Sequence, residues 1–368
     1  MIPKITDNIT DWRPHTDPLR WPDDRFDALA ARLFRHQYDH NTPYRTLCDR
    51  RGVDPSSIAG YRDIPAVATE VFKQTDISCE GPVTRTLRTS GTTVGQRGAH
   101  RFETLEVYRA ALHPTFERFC LPDQQIEAYR MLVVAPGPDA LPDSSLSYML
   151  GELVDRWGDE ESRFFARPGD DGELTFDFTG LAEALDRAGR ADQPTFVLAT
   201  AFGLAEFFAA TDRDWSLGED ARVMETGGFK GKTRELTKAD FYDQIDDRLG
   251  VPSERVIGEY SMTELSSQAY TANLLEGPSA PNAPVERAFY PPPWARIEVV
   301  DPASLEVITE PGARGLIRWY DLANVGSVCA IQTSDIGRTT DDGGLVLGGR
   351  APQADLRGCS LTAEEIAG

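Results

Sequence analysis

The chain has 368 residues, enough to bury a large core as one big domain or two ordinary ones. Apolar residues make up 40% and charged residues 26%, which argues against a disordered chain, and no stretch approaches the roughly 18 consecutive apolar residues of a spanning helix. A net charge of −21 sets the surface against phosphate backbones and anionic headgroups, so nucleic-acid and membrane-surface roles are disfavoured. The opening MIPKITDNITDWRPH lacks the apolar centre of a secretory signal, and the expected location is cytoplasmic. Phe26, Leu29, Ala30, Leu33 and Phe34 then recur at helical spacing after Asp24, and the first 60 residues read as helical. A proline-punctuated segment, Asp63 to Lys73, leads to a glycine- and threonine-rich stretch, and Leu105 to Phe119 reads as a further helix. From there the pattern alternates. MLVVA (Met131 to Ala135), TFVLAT (Thr195 to Thr200), ARVMET (Ala221 to Thr226) and RVIGEY (Arg255 to Tyr260) are short apolar runs, as expected of strands buried on both faces. Helices fall between them: Leu181 to Ala188, expected to be capped by Thr179, and a second opened by Thr237 with Asp240 and ended near Gly250. After about Pro281 the runs ARIEVVD, RGLIRWYDL, SVCAIQTSD and GGLVLGGR follow without helical spacers, as in a β-rich subdomain. This is an α/β chain with a largely parallel sheet.

Four segments carry residue types suited to chemistry. RTSGTTVGQRGAH, Arg88 to His100, offers hydroxyls at Ser90, Thr92 and Thr93, while Gly91, Gly95 and Gly98 let backbone amides turn toward an anion. It is a phosphate cradle or a polar surface loop, and it is not the GxxxxGK[ST] loop. ETGGFKG, Glu225 to Gly231, places Gly227 and Gly228 after a strand, where a flat ring can lie against backbone or an ordinary turn can form. EYSMTE, Glu259 to Glu264, offers Tyr260 to stack on a base, Thr263 to bond a phosphate and Glu264 to hold Mg²⁺ through oxygen. TSDIGR puts Asp335 at an expected strand end, suited to ribose hydroxyls or to capping a turn, and Arg350 in GGR adds a guanidinium fork for ribose, phosphate or a surface pair. The five cysteines are odd in number, scattered and never in CxxC spacing, and the five histidines show no HExxH. A disulfide framework and a zinc site are both poorly supported.

Taken in order, TSGTT, TGG, YSMTE, TSDIG and GR resemble the adenylate-forming superfamily of acyl-CoA synthetases, adenylation domains and beetle luciferases, over about 80 to beyond 350. IPAVATEVFK, ETGGFKG and YSMTELSSQAY are similar to the acyl-protein synthetase branch, the fatty-acid-activating component of the bacterial luminescence fatty acid reductase. The resemblance implies an adenylate-forming large domain with layered, mostly parallel sheets, plus a β-rich subdomain and a C-terminal domain reduced to a short tail. The expected boundaries are an α/β adenylation core with a helical N-terminus at 1–280, the β-rich subdomain at 281–347 and a vestigial extension at 348–368. It implies ATP and Mg²⁺, with Ser90, Gly91, Thr92 and Thr93 gripping the β- and γ-phosphates and Arg97 standing where the family has lysine. Val94 ahead of Gly95 departs from the family pattern and loosens the register of Arg97. Gly227, Gly228 and Tyr260 are then expected to frame adenine, Thr263 the α-phosphate, Glu264 the Mg²⁺ and Asp335 the ribose, with Arg350 marking the hinge.

Full-length members of that superfamily carry a further C-terminal domain with a catalytic lysine, whereas no lysine follows Lys238 here. Arg357, Lys230 or Lys232 is expected to substitute, or else Arg97, Mg²⁺ and loop amides carry the charge. Cys359, in LRGCSL, is either a packing cysteine or the acyl acceptor that the luminescence branch implies, with Arg357 favouring its thiolate. The expected activity is ATP-dependent conversion of a carboxylic acid, a fatty acid by resemblance, to acyl-AMP. Acyl transfer to a protein cysteine, and on to an acyl reductase or carrier protein, would follow. The rivals are a ligase passing the acyl group to CoA, a carrier thiol or an amine, and a non-catalytic nucleotide-binding interaction protein. His100, His113 and Lys73 read as structural or solvated side chains, and Phe202, Gly203 and Phe229 as candidate pocket walls.

Overall fold

Phe26, Leu29, Ala30, Leu33, Phe34 and Gln37 fall on one face of a 3.6-residue repeat, and in the computed structural model they form the buried stripe of a helix, Asp23–His40. The structure describes residues 2–89, 97–123, 128–191, 193–228, 236–276 and 287–351. Along the chain come α1 (Ile2–Thr10), α2 (Asp23–His40), α3 (Thr42–Arg50), β1 (Val67–Ala68), α4 (Val71–Gln74), β2 (Arg85–Arg88), β3 (Ala99–Phe102) and α5 (Glu106–Cys120). Next are β4 (Arg130–Pro136), α6 (Ser145–Trp157), β5 (Arg163–Pro168), β6 (Leu174–Phe176), α7 (Phe178–Ala188), β7 (Thr195–Thr200), α8 (Ala201–Ala210), β8 (Arg222–Thr226), α9 (Lys238–Leu249) and β9 (Val256–Tyr260). The rest is β10 (Ala269–Thr271), α10 (Asn273–Glu276), β11 (Phe289–Tyr290), β12 (Ala295–Val300), β13 (Arg314–Asp321), β14 (Ala330–Thr339) and β15 (Leu345–Arg350). One compact unit takes Met1–Thr115, Ser261–Ala269 and Ala288–Gly368, and the other takes Phe116–Tyr260 and Tyr270–Arg287.

The second of these units is the alternating part of the sequence. Its strands run in the order β9-β8-β7-β4-β5, each parallel to the next, and β6 closes the edge antiparallel to β5. The apolar runs of β4, β7, β8 and β9 are buried because helices cover the sheet. Leu181 and Leu185 of α7, Leu204 and Phe207 of α8 and Phe241 and Ile245 of α9 join Leu132, Val197 and Val223 in one cluster. Each such side chain contributes about 1.5–3 kcal/mol by leaving water. Helix α9 starts where the sequence indicated: Thr237 Oγ1 accepts from Asp240 N, Asp240 returns the bond to Thr237 N, and Gly250 ends the helix at φ 65°. Helix α7 starts two residues earlier than expected. Its cap is Asp177, whose Oδ1 accepts from Gly180 N at 2.9 Å, so Thr179 lies inside the first turn. Asp177 wins because Gly180 leaves room for its carboxylate; a Cβ there would fall 2.3 Å from Asp177 Oδ2.

The first unit holds the β-rich part. Its strands follow the order β12-β13-β14-β15-β11, antiparallel between successive members from β12 to β15 and from β15 to β11, and β1 adds to β14 in parallel. Aromatic side chains join the N-terminal helices to this sheet. Trp12 meets Trp294 edge-on at 5.5 Å between centroids, and Tyr61 bridges Phe26 at 5.2 Å and Tyr320 at 4.8 Å. Asn41 ends α2 and caps α3, and its side-chain amide donates to Ile77 O at 2.8 Å. Among the described residues no helix is long and apolar enough to cross a membrane.

Candidate functional site

Within the first unit, β2 and β3 form a two-stranded hairpin, paired from Arg85↔Phe102 to Arg88↔Ala99. Its open end is tied shut. Thr89 N donates to Gly98 O at 3.0 Å, Gly98 N donates to Thr89 Oγ1 at 2.9 Å, and Arg97 Nε donates to Thr89 O at 2.8 Å. Gly98 suits this closure, since a Cβ would sit 3.0 Å from Thr89 Cγ2 and push that side chain aside by a few tenths of an ångström. Ser90, Gly91, Thr92 and Thr93, which this base carries, lie outside the described residues, as do Phe229, Lys230, Lys232, Arg357 and Cys359.

Thr263 and Glu264 are brought to the same hairpin. Thr263 Oγ1 donates to Arg88 O at 3.4 Å, and Arg97 Nη2 donates to that same carbonyl at 3.5 Å. His100, fully buried on β3, donates from Nδ1 to Thr263 O at 2.8 Å. Burial pushes its imidazole down to about 4, so it is neutral at physiological pH and acts as a fixed donor. Behind them, Asp321 holds the 261–269 segment: it accepts from Ser266 N at 2.9 Å, Ser267 Oγ at 2.7 Å and Ala323 N at 3.0 Å. Asn324 Nδ2 donates to Glu264 O at 2.8 Å.

Glu264 is the electrostatic centre of this unit. Its side chain is buried, and burial pushes its carboxyl up to about 7, with the negative charge of Glu70 acting in the same direction. Its own backbone N–H and the cations Lys73 and Arg350 act in the opposite direction. Arg350 Nε also donates to Asp335 Oδ1 at 3.2 Å, so Asp335, Arg350, Lys73 and Glu264 form one linked set of charges. Asp335 is not at a strand end. It lies inside β14, paired with Arg350 of β15 where the register slips between Ile336 and Gly337, and Gly349 beside Arg350 takes φ 104°. The bulge re-aims a strand residue, and sequence alternation alone cannot show one.

In the second unit, Gly227, Gly228 and Tyr260 come together at the carboxyl ends of adjacent parallel strands. Thr226 ends β8 in register with Glu259, and Tyr260 ends β9. Gly227 turns the chain at φ 77°, and among the described residues neither glycine has an atom within 4 Å of where a Cβ would be. The buried Glu259 carboxylate accepts from Thr226 Oγ1, and Glu225 takes Lys238 Nζ at 2.5 Å and Tyr242 OH at 2.9 Å. Gly203 is packed against Phe176 and Thr200, too tightly to line an open pocket.

Sequence reading did not single out Glu70 and took Lys73 for a solvated side chain, whereas His100, read as structural, is the buried donor to Thr263. The scarcity of lysine in the chain, five in all, was the available signal for Lys73. Among the described cysteines, burial pushes the Cys48 and Cys79 thiols up to about 12 and those of Cys120 and Cys329 up as well, which leaves none of the four a ready nucleophile. No group of three His, Cys, Asp or Glu side chains forms a metal cage among the described residues. A single buried carboxylate such as Glu264 still fits Mg²⁺, which is held by one or two carboxylates together with substrate oxygens.

No protein-family model matches the chain, and no curated protein matches it in sequence. Solved structures do match. A 2-hydroxyisobutyryl-CoA ligase, in the postadenylation state with 2-HIB-AMP, aligns at 16% identity and a TM-score of 0.63, over 93% of this chain and 72% of the ligase. The chain carries the adenylate-forming fold. An ATP-bound RpMatB–BxBclM chimera aligns at 17% identity and a TM-score of 0.50, over 74% of this chain and 49% of the chimera. ATP-bound MatB from Rhodopseudomonas palustris aligns at 16% identity and a TM-score of 0.49, over 73% of this chain and 48% of MatB. The chain thus spans about half the length of these two solved structures.

Proposed function

We propose that this protein activates a carboxylic acid with Mg·ATP, giving acyl-AMP and pyrophosphate. The observation that carries the reading is the buried Glu264 beside Thr263 at the base of a hydroxyl- and glycine-rich loop. It is supported by a fold shared with a ligase solved in complex with 2-HIB-AMP. In this reading the substrate carboxylate attacks the α-phosphorus in line and pyrophosphate leaves, so catalysis is mostly positioning and charge neutralisation. Ser90, Gly91, Thr92 and Thr93 take the β- and γ-phosphates, with Arg97 adding charge at the loop base. Thr263 takes the α-phosphate, Gly227, Gly228 and Tyr260 the adenine, and Asp335, oriented by Arg350, the ribose. Glu264 holds Mg²⁺, which supplies neutralisation of phosphate charge. A cation there also relieves the cost of an ionised buried carboxylate. His100 and Asp321 are positioning residues for the Thr263–Glu264 segment.

The finer reading is an acyl-protein synthetase working in the cytoplasm: the acyl group, a fatty one, moves from AMP to the Cys359 thiolate and then to an acyl reductase or carrier protein. Its support is the sequence resemblance and the chemistry of a thiolate displacing a good leaving group. The test is carboxylate-dependent pyrophosphate release across fatty and aryl acids, with acyl labelling of the protein followed in parallel. Cys359→Ser should keep pyrophosphate release and lose the label. Label retained in Cys359→Ser removes that cysteine from the scheme, and release from no acid sinks the adenylation reading.

A further inference from the structure

A second polar concavity lies in the first unit, built from residues that the reading above does not use. Its volume is about 230 Å³, below the roughly 300–1,000 Å³ of a site for a drug-sized ligand, and so suits a small ion or a head group. Three guanidiniums line it, those of Arg51, Arg62 and Arg318, with Ile64 and Leu305 as apolar wall and Gln332 beside them. That is a local excess of cationic side chains over the one lining carboxylate, in a chain of net charge −21.

The decisive member is Arg318. It sits half-buried on β13, at the slip in register between Leu316 and Arg318, opposite Gln332 of β14. Its Nε donates to Gln332 Oε1 at 2.9 Å and its Nη2 to Leu305 O at 3.1 Å, and both acceptors are neutral. Among the described residues no carboxylate pairs with it. The acceptors are themselves fixed: Gln332 Nε2 donates to Ile317 O at 3.1 Å, and Leu305 holds φ 58°, a conformation that leucine rarely adopts. A guanidinium oriented by neutral groups in a recess is placed to take an external anion. The Asp63 carboxylate also lines the cavity, and its Oδ2 accepts from Ala59 N and Gly60 N, both at 3.0 Å. Arg62 is neutralised by the buried Glu298, with Nε donating at 2.8 Å, and adds hydrogen-bond donors rather than net charge.

We propose that this cavity is an anion site for the phosphate group, either inorganic phosphate or the head of a small phosphomonoester, gripped by Arg318 with Arg51 and Arg62. A tetrahedral dianion can take hydrogen bonds from donors on several arginines at once, which a single carboxylate does less well. The apolar wall of Ile64 and Leu305 gives a phosphomonoester a place for its organic part. The site stands independently of the adenylation reading.

The test is calorimetric titration of the nucleotide-free protein at low ionic strength with inorganic phosphate, phenyl phosphate and acetate. Saturable phosphate binding is expected, weakened at least tenfold by Arg318→Gln and several-fold by the exposed rim variant Arg51→Gln. Tighter binding of phenyl phosphate assigns the site to a phosphomonoester, and equal binding assigns it to the free ion. Phosphate binding equal in both arginine variants and the wild type, its loss in Thr92→Ala instead, acetate binding as well as phosphate, or no saturable binding by about 10 mM would each overturn the proposal. Unfolding midpoints of the variants are measured alongside, and Arg51→Gln keeps the test open if Arg318→Gln fails to fold.

Discussion

Glu264→Gln should make the protein more stable, and only at neutral and alkaline pH. The wild-type carboxyl sits near 7 in the folded chain against an ordinary value of 4.5. Its charged form is therefore about 3 kcal/mol less favourable folded than unfolded. Below pH 4.5 the group is neutral in both states and nothing is lost. Between pH 4.5 and 7 the unfolded chain has shed its proton while the folded chain keeps it, so stability falls as pH rises, and above 7 the loss is complete. His100 works in the opposite sense. Held near 4 against an ordinary 6.5, it is neutral when folded and protonated when unfolded in between, so its contribution is lost as pH falls from 6.5 to 4. The two trends offset each other where they overlap, so a wild-type profile alone does not separate them. The difference between wild type and Glu264→Gln isolates the carboxyl. In urea unfolding with EDTA present, the variant should match the wild type near pH 4.5 and exceed it by up to about 3 kcal/mol near pH 8. In thermal melts that is roughly 6–12 °C for a unit of this size. A variant no more stable than the wild type near pH 8 would refute the claim that Glu264 is buried and uncompensated.

Lys73→Met removes one of the two cations that favour ionised Glu264, so the pH midpoint of that difference profile should move upward. An unmoved midpoint would mean that Lys73 does not feel Glu264. Asp321→Ala leaves Ser266 N, Ser267 Oγ and Ala323 N without their acceptor and should cost about 3–5 kcal/mol in urea unfolding. A cost below about 1 kcal/mol would show that this segment is held by something else. Asp335→Ala should lower carboxylate-dependent pyrophosphate release by about 100-fold or more with a nearly unchanged unfolding midpoint, because it removes the proposed ribose ligand while its partner Arg350 is exposed. Retained release would take Asp335 out of the nucleotide site.

Local signals in the sequence were sufficient for most of the α/β unit. The runs at Met131, Thr195, Ala221 and Arg255 became β4, β7, β8 and β9 because continuous apolar stretches of that length have no other stable use in a chain with helical spacers. Gly250 and the Thr237–Asp240 pair marked the ends of α9 because helix termini need those atoms. Gly227 and Tyr260 could be placed at strand ends for the same reason.

What tertiary structure alone decided lies where long-range contacts set the environment. Asp335 belongs inside a strand because β15 pairs against it through a bulge, and the register of a partner 15 residues away is not written in its neighbours. Lys73 looked like any solvated lysine until α4 was set against the hairpin base, and Arg318 like any strand arginine until Leu305 and Gln332 closed around it. Residue type and spacing determine which chemistry a side chain can offer. Burial and the charges around it determine its protonation and its reach, and those can come from distant segments, as with Thr263 on the carbonyl of Arg88, 175 residues away.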